Sequence, residues 1–457
     1  MNIIIVGCGQ VGLTLAEQLN EENHNITVID TDMNALRSVT DKLDIMGVCG
    51  NGATYTTLKE AGLGRADLLI AVTPSDELNI LCCIVAKKAR GCRTIARVRD
   101  HQYYNDASFL KDELGLAMVI NPELASAEEI SRVLRFPSAI NIETFGKGRV
   151  ELIKFRLPEN SRITGRTVKD IMQNDKLGVV FCTAERKDET HIVNGKFVFQ
   201  PKDIISIVSS SENAAKFFKK IGYASGAVKD VTIVGGGEVT HYLCGILRRS
   251  VEVKIIDDDR EVCEELASSF PHATVINLDT SNQDNLREEG VDTAGAFLAL
   301  TDSDEENIIL SLYGRTNTSG KVVTKIRRLD YSDVLDRLEL DTVIYPKNIV
   351  ANSIARYVRA MKNTRGSNME TLYSIIPGEV EAAEFVVKDK NSVTGKHIMD
   401  LNLKPDIVIA AIVRNNEVIF PRGADTIEVG DSVIVVSRDM ALKSITDIVL
   451  PGRKPVN

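Results

Sequence analysis

Ile5-Val6-Gly7-Cys8-Gly9-Gln10-Val11, close to the start of the chain, recurs later as Ile233-Val234-Gly235-Gly236-Gly237-Glu238-Val239. The offset is 235 − 7 = 228 residues, and half of the 457 residues is 228.5. Two further stretches recur at the same offset: Thr73–Asn79 as Thr301–Asn307, and Arg97-Val98-Arg99 as Lys325-Ile326-Arg327. Because self-similarity at a fixed period is the signature of a repeated architecture, the sequence predicts one unit duplicated along the whole chain.

The first part of each unit alternates short apolar strands with amphipathic helices. In the first unit, helices such as Val11–Asn20 and Leu78–Ala89 separate the strands. The expected strands are Asn2–Gly7, Asn25–Asp30, Asp44–Cys49, Leu68–Val72, Thr94–Val98 and Ala117–Ile120. Such alternation predicts a parallel sheet with right-handed crossovers and helices on both faces. The predicted fold class is therefore α/β, with duplicated Rossmann-like parallel sheet domains, each followed by a small α+β module.

That small module has a different rhythm. A helix is expected after Gly165, with Val168, Ile171 and Met172 on one face. Short strands are expected at Val150–Phe155, Gly178–Thr183, Lys196–Phe199 and Asp203–Val208. The second copy carries Gly395–Leu401 where the first carries Gly165–Ile171. The predicted domains are 1–140, 141–222, 229–366 and 370–457, with linkers at Tyr223–Lys229 and Arg365–Asn368.

The composition excludes several classes of protein. Lys and Arg total 55 against 64 Asp and Glu, and 55 − 64 = −9, so nothing in the net field attracts nucleic acid. None of the eight cysteines forms a CxxC pair, which argues against zinc ribbons and favours free thiols in a reducing compartment. No stretch approaches the roughly 18 to 20 apolar residues of a membrane helix, and no signal peptide is recognisable. We therefore expect a soluble, cytoplasmic protein, for which a membrane partner stays open.

The glycine loop carries the strongest functional signal. Gly7-x-Gly9-x-x-Gly12 follows a strand and opens a helix, and Asp30 lies 30 − 9 = 21 residues beyond the second glycine. This spacing is typical of a loop that holds a pyrophosphate on a helix N-terminus, with a carboxylate that accepts from a ribose diol. The alternative is a glycine turn with a helix-capping aspartate and no ligand. The predicted site consists of Gly7, Cys8, Gly9, Gln10, Val11, Gly12 and Asp30.

The same residues limit the choice of nucleotide. A 2′-phosphate would face the Asp30 carboxylate, which disfavours NADP. Ribose and phosphates are common to NAD, NADH, ATP, ADP and AMP, so the loop does not separate these ligands. The chain has no GxxxxGK[ST] motif and is not a P-loop nucleotide hydrolase.

The second unit repeats the loop with one departure. Its fingerprint is Gly235-x-Gly237-x-x-Thr240, and Asp257 occupies the acidic position. The Cβ of Thr240 is expected to push helix and strand apart unless a local shift absorbs it, so we expect a weaker or more selective site. A solvated acidic turn is the first alternative for Asp257-Asp258-Asp259, and a divalent cation site is the second. The predicted second set is Gly235, Gly236, Gly237, Glu238, Val239, Asp257 and Thr301.

Three residues after the later strands are further candidates. Thr73 and Pro74 follow the fourth strand, at the crevice where open α/β sheets bind ligands. Their backbone would contact the adenine or the ribose of a ligand; alternatively, they form the N-cap of the next helix. Arg97 ends the fifth strand, where it would contact a phosphate or form a surface ion pair.

The histidines give little support to catalysis. A dehydrogenase needs an acid or base beside the nicotinamide. His191 is expected in a solvated loop, His397 has no partner in the first copy, and His241 has no counterpart acid. Duplicated nucleotide sheets without a catalytic cluster therefore predict sensing rather than turnover, with an NAD-linked oxidoreductase as the alternative.

Four stretches carry a family resemblance: Met1–Gly12, Ile29-Asp30-Thr31, Thr73–Asn79 and Ile95–Arg99. They resemble the TrkA family, the cytosolic NAD-binding subunits of bacterial Trk-type potassium uptake systems, and the domain order matches its tandem RCK (KTN) domains over the full chain. The resemblance implies a regulatory, non-enzymatic subunit that binds NAD or NADH, with ATP or ADP as further ligands. It implies nucleotide sites at Gly7–Val11, Asp30, Thr73, Pro74 and Arg97, and at Gly235–Val239, Asp257 and Thr301.

The resemblance also implies partners. They are a TrkH-like membrane potassium transporter subunit and further copies of the chain, in a tetrameric ring at the inner face of the cell membrane. Some relatives carry an arginine at the position of Gln10, where it contacts the γ-phosphate of a neighbour's ATP. Others bind cyclic di-AMP between C domains; Ile398 and Leu401 suit such a site and equally an ordinary core helix. Regulation of a different ion transporter stays open.

Overall fold

The computed structural model describes residues 1–100, 103–104, 107–136, 139–146, 148–175, 178–187, 189–223, 228–247, 251–328, 335, 337–338, 340–363, 369–376, 378–438 and 442–450. The chain divides into two compact units, Met1–Ser131 with Lys229–Ala355, and Arg132–Val228 with Arg356–Asn457. Each unit therefore combines equivalent segments of the two repeats. The boundaries of the four predicted domains stay predictions, and the predicted linker residues 224–227 and 365–368 lie outside the described residues.

The first nucleotide domain is a six-stranded parallel sheet in the order β3-β2-β1-β4-β5-β6. Its strands are β1 (Asn2–Val6), β2 (Asn25–Asp30), β3 (Met46–Cys49), β4 (Leu68–Ala71), β5 (Arg93–Arg97) and β6 (Met118–Ile120). Its helices are Gln10–Glu21, Met33–Thr40, Tyr55–Glu60, Asp76–Arg90, Ala107–Asp112 and Pro122–Arg135, with a 3₁₀ turn at Leu63–Arg65. The strand order reverses between β1 and β4, which opens a crevice at their carboxyl ends.

The first small module is an antiparallel sheet in the order β10-β9-β11-β8-β7. Its strands are β7 (Ala139–Phe145), β8 (Val150–Arg156), β9 (Val179–Arg186), β10 (Glu189–Ile192) and β11 (Ile204–Ser209), and its helices are Val168–Asp175 and Ser211–Ile221. The strand predicted at Lys196–Phe199 is wrong, because only Val198 forms an isolated bridge, to Thr167. The edge strand is instead the polar β10, which includes His191 and whose composition gave no apolar signal.

The second nucleotide domain repeats the first, in the order β14-β13-β12-β15-β16-β17. Its strands are β12 (Asp230–Val234), β13 (Glu252–Asp257), β14 (Thr274–Asn277), β15 (Ala296–Ala299), β16 (Lys321–Lys325) and β17 (Thr342–Ile344). Its helices are Glu238–Leu247, Arg260–Ser269, Gln283–Glu288, Asp304–Asn317 and Pro346–Asn363, with a 3₁₀ turn at Val291–Thr293. The predicted fold class, duplicated Rossmann-like parallel sheets each followed by a small α+β module, is confirmed.

The second small module has the sheet order β18-β19-β22-β20-β21. Its strands are β18 (Met369–Ile376), β19 (Val380–Val386), β20 (Ile407–Arg414), β21 (Glu417–Ile419) and β22 (Ser432–Ser437). Short 3₁₀ turns occupy Ile398–Asp400 and Ile445–Ile448, so the helix expected around Ile398 and Leu401 is only one turn.

The two small modules share one apolar cluster. It joins Phe145, Val150, Leu152, Cys182 and Val208 of the first module to Ile375, Val380, Ala382, Ala410, Ala411, Val413, Ile434 and Val436 of the second. Because each sheet covers apolar surface of the other, the pair forms a common core. Across the described residues, no helix is both long enough and apolar enough to span a bilayer.

Candidate functional site

The first glycine loop has the geometry that its spacing predicts. Gly7 has φ +104°, a left-handed conformation, and a Cβ there would lie 3.0 Å from the backbone nitrogen of Thr73. A Cβ on Gly12 would lie 1.9 Å from the carbonyl oxygen of Gly7, so only glycine allows this approach of helix and strand. A Cβ on Gly9 would meet nothing within 4 Å. The first and third glycines thus shape the turn, and the second leaves its outer face open.

Asp30 closes this loop through its carboxylate. Oδ2 accepts from the backbone N–H of Cys8 at 2.6 Å, and Oδ1 accepts from that of Asp32 at 2.9 Å. Asp32, not Asp30, caps the following helix, where it accepts from the backbone N–H of Asn34. The helix-cap alternative for Asp30 is therefore wrong. Each carboxylate oxygen keeps a further lone pair with which a ribose hydroxyl can bond.

The helix that follows the loop begins without a side-chain cap. Its N-cap residue is Gly9, which makes no side-chain hydrogen bond, and the helix runs over Gln10–Glu21. The first N–H groups of any helix lack intrahelical partners and carry a partial positive charge. Together with the open face at Gly9, these donors fit the phosphates of a dinucleotide or an adenine nucleotide.

The Cys8 thiol lies behind the loop. Burial, and secondarily the charge of Asp30, raises its pKa to about 12. The thiol therefore stays protonated at neutral pH, which suits a packing role rather than a nucleophilic one.

The second loop keeps the same hydrogen bonds. Gly235 has φ +106°, and Asp257 accepts from the backbone N–H of Gly236 at 2.6 Å and of Asp259 at 2.8 Å. Thr240 is fully buried and its hydroxyl donates to the carbonyl oxygen of Gly235 at 2.6 Å. The Thr240 hydroxyl thus bonds to the carbonyl oxygen equivalent to the one that a Cβ at Gly12 would strike in the first loop.

A cavity of 630 Å³ lies beside this second loop. Its lining includes Gly235, Gly237, Asp257, Thr301, Ser303 and Arg328. Among the described residues, no group of three or more His, Cys, Asp or Glu is placed to hold a metal ion. Asp258 and Asp259 are both exposed, as the acidic-turn alternative expects, and Asp259 caps the helix Arg260–Ser269.

The polar groups of Thr73 are already hydrogen-bonded within the protein. Its backbone N–H and its hydroxyl both donate to Asn79 Oδ1 at 2.8 Å, and Asn79 Nδ2 donates to the carbonyl oxygens of Thr73 and Arg97 at 3.0 Å. The cap of the helix Asp76–Arg90 is Ser75. Thr73 is therefore not the N-cap, and its N–H is already bonded.

Asn79 and its repeat Asn307 are the residues that sequence reasoning missed. Asn307 repeats the backbone bonds: its Oδ1 accepts from the N–H of Thr301, and its Nδ2 donates to the carbonyl oxygens of Thr301 and Lys325. Both asparagines are 0% exposed. The sequence contained a sign of their importance, because a polar residue recurs at the 228-residue offset on the apolar side of a helix.

Arg97 also points into the protein. Its Nη2 donates to the carbonyl oxygen of Thr73, at 2.6 Å, and burial lowers the pKa of its guanidinium. The surface ion pair that was its alternative is not what the structure has. Pro74 contributes its carbonyl oxygen, which accepts from Arg99 at 2.7 Å.

Two loop side chains face the opposite repeat. Gln10 Oε1 lies 3.5 Å from Lys347 Nζ. Glu238 lines a 340 Å³ cavity between the two nucleotide domains, together with Arg99, Glu123 and Lys325. The same cavity includes His241, whose ring packs on Phe270 at 4.8 Å between centroids. Val11 and Val239 lie in the first turns of the helices that follow the loops, and Thr301 follows β15.

Both nucleotide domains and both small modules match the models of known domain families. Residues 3–122 and 231–346 match the TrkA-N domain model, and residues 152–222 and 382–450 match the TrkA-C domain model. The chain belongs to the TrkA family. The resemblance noted in the sequence is thereby confirmed.

Individual relatives of this TrkA-family chain align along nearly its whole length. It is 31% identical to a Trk system potassium uptake protein TrkA homolog from Archaeoglobus fulgidus, over 98% of this chain and 100% of that one. It is 30% identical to the Trk system potassium uptake protein TrkA of Halomonas elongata, over 95% of each chain.

Solved structures share the fold of the TrkA-family chain. The GsuK channel bound to NAD has a TM-score of 0.63 at 17% identity, over 96% of this chain and 77% of that one. The GsuK RCK domain has a TM-score of 0.62 at 18% identity, over 96% and 92%. At these identities the likeness concerns the fold alone.

Proposed function

We propose that this chain is a cytosolic regulatory subunit that senses nucleotides and controls a membrane potassium uptake transporter. The observation that carries the proposal is the pair of glycine loops, each closed by an aspartate through a 2.6 Å hydrogen bond from the loop backbone. Two such loops in a chain whose relatives are named potassium uptake proteins support a nucleotide-dependent role in that process.

The ligands that we propose are NAD or NADH, with ATP or ADP as competitors. In the first site the N–H groups after Gly9 would bind phosphate and Asp30 would accept from the ribose diol. The residues proposed to line it are Gly7, Cys8, Gly9, Gln10, Val11, Gly12, Asp30, Thr73, Pro74 and Arg97. Their second-site counterparts are Gly235, Gly236, Gly237, Glu238, Val239, Asp257 and Thr301. A GsuK channel structure of the same fold is described as bound to NAD.

The buried groups behind the loops have a supporting role. Arg97 and Asn79 hold Thr73 from two sides, so the floor of the crevice is fixed before a nucleotide arrives. Preorganised sites of this kind lose less entropy on binding. We infer that Thr73 and Arg97 act by shaping the site, and that the loops and the aspartates make the direct polar contacts.

A subunit that regulates transport without consuming nucleotide requires a partner protein and two conformations. A ligand shifts an equilibrium only by its difference in affinity for the two states, and coupling energies are typically about 1–3 kcal/mol. We propose that the chain forms a homo-oligomeric ring beneath a TrkH-like membrane subunit, with the nucleotide domains as the element that changes. A closed ring fits the usual symmetry of oligomers.

Reconstituted transport tests this function. Vesicles that contain the membrane subunit and this protein receive NAD, NADH, ADP or ATP in turn, and potassium flux is recorded together with nucleotide consumption. We expect flux to depend on nucleotide identity while no nucleotide is consumed. Flux that ignores the nucleotide would overturn the proposal, and NADH oxidation coupled to a small acid would favour the oxidoreductase alternative.

A further inference from the structure

The two glycine loops differ in charge at one equivalent position. Gln10 and Glu238 are the first residues of their helices and are related by 238 − 10 = 228. Both side chains are exposed. The phosphate end of the first loop is thus neutral, and that of the second carries a carboxylate.

Each loop is approached by a helix from the other repeat. Pro122–Arg135 and Pro346–Asn363 follow the last strand of their sheets, and each begins with proline. The second residue is Glu123 in one helix and Lys347 in the other. The exchange of a carboxylate for an ammonium at this position gives the two approaching helices opposite charges.

Lys347 lies at the phosphate end of the first loop. Its Nζ is 3.5 Å from Gln10 Oε1, and it is half-buried. Further along the same two helices, Gln18 Nε2 donates to Asn352 Oδ1 at 3.2 Å. Two contacts eight residues apart on one helix place the helices side by side, so the ammonium is held at the end where the helix N–H groups are free.

At the second loop the approaching group is Glu123. It lines the same cavity as Gly237 and Glu238, and its Oε2 is buried without a hydrogen-bond partner among the described residues. Burial raises the pKa of Glu123; the charges of Arg99 and Arg97 oppose that effect, and the charge of Glu238 adds to it. Three cations line the cavity too, but Arg99 donates to the carbonyl oxygen of Pro74, and Lys325 and Arg327 both pair with Asp302.

We propose that Lys347, supplied by the second repeat, is a specificity-determining residue of the first nucleotide site, which it biases towards nucleotides with more phosphate charge. The second site, faced by Glu123 and Glu238, is biased the opposite way. This inference rests on the proposed nucleotide sites and adds which site takes the more highly charged ligand. Salt screens the interaction between a side-chain charge and a phosphate only weakly at separations below a Debye length, about 8 Å at physiological salt. A nearby lysine therefore attracts phosphate, and a nearby carboxylate repels it.

Calorimetry on the full chain tests the first site alone when Asp257→Ala disables the second. AMP, ADP and ATP serve as probes of increasing phosphate charge. In this background Lys347→Gln is expected to lower ATP affinity about tenfold and AMP affinity by no more than about twofold. Its ATP affinity should also respond less steeply to salt than that of the parent.

Lys88→Gln is the matched control, because Lys88 is an exposed lysine in the last turn of the helix Asp76–Arg90. It removes the same charge at the C-terminal end of a helix of the first nucleotide domain, and it should leave all three affinities as in the parent. Equal losses for Lys88→Gln and Lys347→Gln would mean a net-charge effect and would overturn the proposal. Circular dichroism establishes that each variant is folded.

The reciprocal variant tests the second site. In an Asp30→Ala background, Glu238→Gln should raise ATP affinity by about tenfold and AMP affinity less. If Lys347→Gln leaves the ratio of ATP to AMP affinity unchanged while Asp30→Ala weakens all three nucleotides, the role of Lys347 is wrong and the nucleotide site stands. If Asp30→Ala itself has no effect, the proposed nucleotide site is wrong as well.

Discussion

At the residue scale, Asp30 serves both the loop and the ligand. Its carboxylate already accepts from the backbone N–H groups of Cys8 and Asp32, so its position is fixed without a nucleotide. Asp30→Ala should weaken NADH, ADP and ATP alike, because all three present the same ribose. The loss of a charge-assisted hydrogen bond corresponds to about 1.5–3 kcal/mol of binding free energy. Titration calorimetry measures it.

Asp32→Ala provides the comparison for that variant. It removes a helix cap, which costs about 1 kcal/mol of stability, and leaves the Asp30 carboxylate in place. We expect a lower melting temperature with nucleotide affinity close to that of the parent. Unchanged affinity in Asp30→Ala would refute the assignment of this carboxylate to ribose.

The buried thiols predict a pH dependence of stability. Burial raises the pKa of Cys8, Cys82 and Cys244 to about 12. An unfolded thiol titrates near 8.5, so the contribution of each is complete below about pH 8.5 and is lost as the pH rises towards 12. Each thiol lowers the unfolding free energy by up to about 1.4 kcal/mol per pH unit in that window.

Chemical denaturation at pH 8 and pH 10, with a reductant present, measures this loss. Cys82→Ala should show a smaller drop in unfolding free energy between the two pH values than the parent. Cys49→Ala is the control, because Cys49 is exposed, and its drop should equal that of the parent. A drop in Cys82→Ala as large as in the parent would show that the thiol is not titrating there.

At the scale of elements, the packing of a helix on a strand depends on one position per loop. A Cβ at Gly12 would lie 1.9 Å from a backbone oxygen, which cannot move without opening the loop. Gly12→Ala should destabilise the protein by about 1–3 kcal/mol. It should also weaken nucleotide binding at the first site. Thermal unfolding and calorimetry measure the two effects.

The second repeat offers the matched variant at the equivalent position. Thr240→Ala removes the hydroxyl that donates to Gly235 and keeps the Cβ that the second loop already accommodates. Its cost should be about 0.5–1.5 kcal/mol, the value of one hydrogen bond. A larger loss for Thr240→Ala than for Gly12→Ala would contradict the different packing of the two loops.

The elements that the sequence predicted are those with the most regular pattern. Each predicted strand of the first nucleotide domain ends within two residues of its observed bounds, because parallel strands covered on both faces are continuous apolar runs. The loop glycines and Asp30 followed from spacing alone. The edge strand Glu189–Ile192 escaped prediction because three of its four residues are polar and none of the four is buried.

Contacts between residues that are distant in the sequence could not be predicted from the spacing of motifs. Nothing local in the sequence indicates that Asn79 bonds to Thr73 and Arg97, or that Lys347 reaches Gln10 across 337 residues. These contacts depend on how sheets and repeats pack, which periodicity within one segment does not record.

At the scale of the whole molecule, the shared core of the small modules makes their stability common. Leu152 of the first module packs in one cluster with Ile434 and Val436 of the second. Leu152→Ala should cost about 2–5 kcal/mol and raise amide exchange in both modules. Hydrogen exchange followed by mass spectrometry resolves the two sheets separately.

Ile171→Ala is the control for this effect, since Ile171 lies in a cluster confined to the first module. It should raise exchange mainly in β8, β9 and β11, and less in β19, β20 and β22. If Leu152→Ala leaves exchange in the second module as in the parent, the two sheets are not energetically joined.

Because both small modules belong to one chain, their pairing through the shared cluster does not depend on protein concentration. Two separate chains that bury such a surface dissociate on dilution, whereas two modules in one chain meet at an effective concentration set by their connection. Their pairing therefore persists however few copies a cell contains. It also fixes the ratio of the two modules at one to one, so each half is free to diverge from its twin, as Gln10 has from Glu238, without ever meeting a mismatched partner.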